Sequence, residues 1–279
     1  MAPDETKPRH KKLGPLTTLL EPISAKGGLL GLWAYAKSIG PEQTLAKIWR
    51  TIGRAWITVS DYIFDKRLGV DTRGYIAVDD LDVSDETRRY SEVYAPTPAK
   101  IFNSILRGLD LDFTAFDLVD IGCGKGRTLI VAKPYDFEAY IGVEHSSYLA
   151  HVAEANCEKF LSNSQILNID ARDMEFSDRL QLIYMYSPFN DAVLSDFFEQ
   201  VHQAYTRKRR AFIIIFTEDP GTRPIPLEIL TTSIEGVVHS HSVYRQFGAA
   251  LEVAVVVSHE AQNMLQRLPD GSRRSGQES

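Results

Sequence analysis

The spacing of apolar positions changes along this chain, and the changes mark out its elements. From Phe116 to Ile121 a largely apolar run carries Asp120 near its end, and Arg127-Thr-Leu-Ile-Val-Ala reads as a helix. Ala139 to Val143 is a second short β-rich run. Ser147 to Leu161 places Leu149, Val152, Ala153, Asn156, Cys157 and Phe160 on one helical face. Gln165 to Asn168 reads as a third strand. Leu180 to Tyr186 is nearly continuous apolar sequence, as expected of a strand covered on both faces. A helix over Asp191 to Tyr205 and a fifth strand over Ala211 to Phe216 follow. The alternation then stops. Val237 to Phe247 and Leu251 to Ser258 are β-rich runs joined by Gly248-Ala-Ala250, a hairpin that closes the sheet. The pattern predicts an α/β fold, with a polar, disordered tail over 259–279.

The first third is organised differently. Residues 1–12 read as a disordered arm, and 13–93 as a helical extension with a loop. Leu16 to Leu20 and Gly28 to Ser38 are apolar with glycine breaks. Pro41 opens a clearer helix, on which Leu45, Trp49, Ile52 and Trp56 form a stripe, with Lys47, Arg50 and Arg54 mostly off it. That stripe fits a helix packed on the main domain, or one lying on a membrane or a partner. Asp65 to Gly74 reads as a polar loop. A helix from Ala99 to Leu109 follows, with Pro98 in its first turn and Thr97 as its cap.

Composition narrows the function classes. The 279 residues hold 44% hydrophobic and 24% charged positions, enough for one large domain with an extension. The net charge of -6 argues against a general nucleic-acid binder, and Arg207 to Arg210 reads as a solvated turn. Cys123 and Cys157 give neither a disulfide framework nor metal spacing. His239 and His241 lie two apart on a strand without further ligands, so no metal is expected. No early apolar core suggests a signal peptide, and no run is long enough to span a membrane, so the expectation is a cytoplasmic protein.

The chemistry centres on Asp120-Ile-Gly122-Cys123-Gly124-Lys-Gly126. Three glycines at alternate positions follow a strand and precede a helix, a turn at which backbone can approach a ligand. Glu144 ends the second run, 18 positions after Gly126, where an acid can accept hydrogen bonds from both hydroxyls of a ribose. Strand, glycine turn, helix, strand and acid form a right-handed βαβ half with a nucleoside site at its carboxyl edge.

Gly-x-Gly-x-Gly, rather than the dinucleotide Gly-x-Gly-x-x-Gly, resembles the first motif of class I S-adenosylmethionine (SAM) methyltransferases. The resemblance covers 94–258. It implies a Rossmann-like seven-stranded sheet whose last strand is inserted antiparallel, with SAM as cofactor. Asp120 would then sit near the methionine amino group, Gly122, Cys123, Gly124 and Gly126 would face methionine and ribose, and Glu144 would hold the ribose. Asp170 and the Ala171 amide would read the adenine, a task Asp173 could also perform. Gly69-Val-Asp-Thr-Arg-Gly74, Tyr94-x-Pro-Thr-Pro98 and Gly-Cys-Gly-Lys-Gly-Arg resemble a group of bacterial methyltransferases, and the run from Tyr94 to Glu144 is similar to the non-SET lysine methyltransferases.

Methyl transfer is in-line displacement on an activated donor, so the protein mainly positions the acceptor and excludes water. The implied acceptor site is the tip of the fourth strand, Ser187-Pro188-Phe189, where relatives often carry an amide or acid in place of Ser187. Proline predicts an extended Ser187, with its carbonyl and hydroxyl toward the acceptor. Tyr94 and Tyr186 are wall residues for an amine. The expected function is transfer to nitrogen on a protein lysine, peptide or small amine. An O-methyltransferase, a non-catalytic SAM-binding protein and an NAD-dependent oxidoreductase are the rivals.

Overall fold

The computed structural model describes residues 40–84, 88 and 93–266, with backbone only at 41, 44, 46, 47, 50, 51, 54, 265 and 266. The arm over 1–12, the apolar runs before residue 40 and the tail over 267–279 lie outside the described residues.

Seven strands form one sheet: β1 (Phe116–Ile121), β2 (Ala139–Val143), β3 (Ser164–Leu167), β4 (Leu180–Tyr186), β5 (Phe212–Glu218), β6 (Val237–Gln246) and β7 (Ala249–Val257). Their order is β3-β2-β1-β4-β5-β7-β6. The first five pair in parallel, and β7 enters antiparallel between β5 and β6. This is the α/β, Rossmann-like sheet with an inserted antiparallel last strand that the sequence leads one to expect. The chain runs outward from β1 through β3, returns to β4, and runs outward the other way. A crevice opens where the direction switches, beyond the carboxyl ends of β1 and β4.

Covering both faces explains the apolar strands. Side chains alternate across a strand. Leu118, Leu182, Ile213 and Val255 therefore enter one core layer with Phe102, Ile105 and Leu106 of helix α2 (Ala99–Leu109). Val119, Ile183, Ile214 and Val256 enter the other, with Leu194, Phe197 and Val201 of a later helix, Asp191–Arg207.

Among the described residues the α-helices are α1 (Pro41–Leu68), α2, α3 (Arg127–Ala132), α4 (Ser147–Cys157), α5 (Asp191–Arg207), α6 (Leu227–Ser233) and α7 (His259–Gln266). Several expectations need correction. The hairpin turn is Phe247-Gly248, not Gly248-Ala-Ala250, with Gly248 at φ 86°. Residues 259–266 are helical rather than disordered, because Ala261 packs into the core. Pro98 is the N-cap of α2 without a side-chain bond, and the Thr97 hydroxyl instead meets the Tyr184 hydroxyl at 3.1 Å. Arg210 is buried rather than solvated, and donates to the carbonyls of Arg179 and Ala204, both at 2.9 Å.

α1 extends through Leu68 and stops at Gly69, whose left-handed φ of 67° suits glycine. Its last turns reach the glycine turn. Asp61 and Asp65 pair with the buried Arg127 guanidinium, and Asp65 also accepts from the Thr72 amide and hydroxyl and the Arg73 amide.

Candidate functional site

The crevice holds an open cleft of about 1070 Å³, a volume that includes the solvent space at its mouth. Asp120 lies at its base, on β1 in register with Tyr184 of β4. Its side chain is 2% exposed, and Oδ2 has no hydrogen-bond partner. A buried carboxylate oxygen left unmatched is costly, and it fits a cationic or N–H donor from a ligand. Burial pushes the Asp120 carboxyl up to about 7; a Thr128 hydrogen bond opposes the rise and the Glu144 charge adds to it.

Glu144 directly follows β2 and lines the same cleft. Oε2 accepts from the Gly124 amide and Oε1 from the Ser146 amide, both at 2.9 Å. Each carboxylate oxygen can accept a second bond, so capacity for two hydroxyls remains. Desolvation raises this carboxyl to about 7, against the pull of those amides.

The glycine turn serves a purpose other than bare approach to a ligand. Gly122, Gly124 and Gly126 all have positive φ, at 73°, 55° and 78°. Each vacant Cβ position points at protein. A Cβ would fall 3.0 Å from Pro188 Cβ at Gly122, against the Tyr94 ring at Gly124, and 2.9 Å from Cys157 Sγ at Gly126. The amides of Gly122 and Cys123 donate to the Val143 carbonyl, and that of Gly126 to the Cys123 carbonyl. Gly122 and Cys123 line the cleft, whereas Gly124 packs under Tyr94 and Gly126 against Cys157. The Cys123 thiol is buried, which holds its pKa well above the ordinary value and its sulfur protonated.

Asp170, Ala171 and Arg172 form the far wall. The Asp170 carboxylate caps the turn that follows it and pairs with Arg172 at 2.8 Å, and that hydrogen bond lowers its pKa. Asp173 is exposed and does not line the cleft.

At the β4 tip, Tyr186, Ser187, Pro188 and Phe189 line the cleft together. Ser187 is not extended; its φ is 40°. Its amide stays bonded to the Thr217 carbonyl at 3.0 Å, and its hydroxyl donates to Glu218 at 2.8 Å, so two bonds fix the residue in this turn. Glu218 is buried and also accepts from Arg223 Nε at 2.7 Å. The Tyr186 hydroxyl donates to Asp219 at 2.9 Å, and Phe189 packs near Phe197.

A strap formed by residues 71–84 and 93–97 borders the cleft; its anchoring pairs are what sequence reasoning did not name. Tyr94 lies over Gly124, donates to the Thr72 carbonyl at 2.6 Å and bridges to Ile76. Lys125, 1% exposed, reaches Asp71 at 3.1 Å, and Asn156 donates to the carbonyls of Asp71 and Lys125. Asp82 accepts from the Ser146 and Ser147 hydroxyls and the Tyr148 amide at the start of α4. Asp71 and Asp82 carry no local pattern that marks them as anchors. Glu218 and Arg223, an acid at a strand end with an arginine five positions on, could have been found. Among the described residues no group of three or more His, Cys, Asp or Glu could hold a metal; His241 pairs with Glu252 instead.

No protein-family profile matches the chain. Over 97 residues it is 31% identical to the "Probable S-adenosylmethionine-dependent methyltransferase CRG1" of Saccharomyces cerevisiae, a stretch that covers 35% of this chain and 32% of that protein. The chain thus matches about a third of that relative's length. Among solved structures it is similar to magnesium protoporphyrin IX methyltransferase from Synechocystis PCC 6803 with bound SAM, at a TM-score of 0.45 and 12% identity, over 75% of this chain and 96% of that one. TrmN from Thermus thermophilus gives a TM-score of 0.45 at 16% identity, over 57% and 48%. The strand order, rather than these superpositions, defines the fold.

Proposed function

We propose that the chain is a SAM-dependent methyltransferase. The observation that carries this reading is the unmatched, buried Asp120 oxygen in a cleft that also holds Glu144, at the switch point of this sheet. The stretch of 97 residues similar to the yeast protein supports it. When bound, SAM supplies a methyl group on a positively charged sulfur, already activated for displacement.

The residues fit that group. Asp120 would accept from the amino group of the methionine moiety, and Glu144 from the ribose hydroxyls with the lone pairs its two amide bonds leave. Gly122 and Cys123 would lie along the methionine and ribose, with Gly124 and Gly126 completing the turn. Asp170 and the Ala171 amide would border the adenine.

The tip of β4 faces the acceptor. The Ser187 hydroxyl is engaged by Glu218, so the Ser187 carbonyl is the group left to orient an amine N–H. Pro188 and Phe189 exclude water, and Tyr186 and Tyr94 form the aromatic walls. The acceptor is accordingly a nitrogen, on a protein lysine, a peptide or a small amine. A labelled-methyl assay on cell extract, split into protein and small-molecule fractions, tests this. Acid-stable label on nitrogen is the expected result; label solely on oxygen would remove the nitrogen assignment.

A further inference from the structure

We infer that α1 is a membrane-surface anchor that docks on an anionic lipid bilayer. This goes beyond the proposed activity and does not depend on it. Leu45, Trp49, Ile52, Trp56, Val59 and Ile63 recur at intervals of four, three, four, three and four, which places them on one face of a helix. All six are exposed, Trp49 at 61% and Trp56 at 53%.

Such a stripe ordinarily turns inward, and here the opposite face does the packing. Gly53 lies against Gly248 of the β6–β7 turn, Phe64 and Leu68 join the core, and Asp61 and Asp65 hold Arg127. The helix is fixed to the body with its apolar side outward. Phe247, 47% exposed, meets Trp49 edge to face at 6.1 Å and widens the patch. A contiguous apolar surface of this kind marks an interaction site.

The choice of occupant rests on charge. Tyr62 borders the stripe with Arg73 stacked 4.8 Å from its ring and Lys66 at 5.9 Å, and Arg67 is exposed beside them. Three cations therefore ring the C-terminal end of the stripe, and the exposed acid on α1 is Glu42, at the far end. Aliphatic side chains, two tryptophans, a tyrosine and a basic cluster suit the interface of an anionic bilayer. No described helix is long and apolar enough to cross a membrane, so α1 would lie along the surface.

The test uses the full chain with phosphatidylcholine vesicles, with and without phosphatidylserine. Co-sedimentation is read at low and physiological salt, with tryptophan emission recorded in a Trp33→Phe background. Expected are binding to the anionic vesicles alone, a blue shift of Trp49 and Trp56, and weakening with salt. Trp49→Gln with Trp56→Gln should cut partitioning by roughly tenfold or more. Lys66→Gln with Arg67→Gln should cut it roughly thirtyfold, five- to sixfold per cation. Unchanged circular dichroism keeps these losses interpretable. No vesicle binding, equal binding to neutral vesicles, or binding unaffected by the tryptophan variants would overturn the inference. So would a concentration-dependent dimer that the tryptophan variants dissociate without any vesicle binding, since the stripe would then be an interface between two copies.

Discussion

Asp120 carries an oxygen that meets no donor, and burial raises its carboxyl to about 7. The native state therefore holds a proton that the unfolded chain has already lost between about pH 4 and 7, so the unliganded protein loses stability as pH rises through that window. A bound amino cation favours the ionised carboxylate. SAM affinity should thus increase from about pH 5.5 toward 7 with release of a proton, measurable by calorimetry in buffers of different ionisation enthalpy. Asp120→Asn should remove the part of that profile that Asp120 carries and leave the part due to Glu144, which also titrates at about 7. Glu144→Ala should weaken binding by roughly 1.5–3 kcal/mol, the usual effect of losing hydrogen bonds to a charged group. Gly124→Val is a poor probe of the cofactor, because it would strain a positive φ and strike the Tyr94 ring. Ser187 tells the opposite story: asparagine tolerates its left-handed backbone better than serine does. Ser187→Asn should keep or raise turnover on an amine and leave thermal stability within about 1 kcal/mol, provided Glu218 retains Arg223 as its partner.

Phe189 belongs to the β4 tip as a unit, where it packs near Phe197 and lines the cleft. Phe189→Ala should cut turnover at least about tenfold, or about 1.4 kcal/mol of barrier, with SAM affinity nearly unchanged; wild-type turnover would make the tip a turn and nothing more. The strands were legible in the sequence for a simple reason. Helices cover both faces of the sheet, so β1, β4 and β5 read as largely apolar runs, and Asp120 was one of the few polar residues in them that needed a reason to be there. α7 was missed although Ala261, Met264 and Leu265 keep helical spacing, because so short a stripe opens a long polar tail. The stripe on α1 was visible, but periodicity says only that a helix has an apolar face, not which way it points.

The whole molecule is knit more tightly than a division at Tyr94 implies. Lys125 and Asp71 meet across 54 positions, and Arg127 and Asp61 across 66. Pairings of that range leave no local trace, which is why the strap's anchors were missed while the glycine turn it covers was plain. Asp65→Ala would leave the Thr72 and Arg73 amides without their acceptor while Asp61 still pairs with Arg127, so it should cost roughly 1–3 kcal/mol of stability and weaken SAM binding along with it. Chemical denaturation with and without SAM checks both effects. Removal of residues 1–56 should instead spare SAM affinity within a few-fold and lower acceptor turnover, because Asp61 and Asp65 remain. The central claim, that the cleft around Asp120 binds SAM, is tested most directly by isothermal titration of the folded chain with SAM and, separately, with NAD. One SAM bound per chain, no heat with NAD, and an affinity loss of roughly tenfold or more in Asp120→Asn are the results this account predicts; a folded protein that ignores SAM, or that binds NAD in its place, would contradict it.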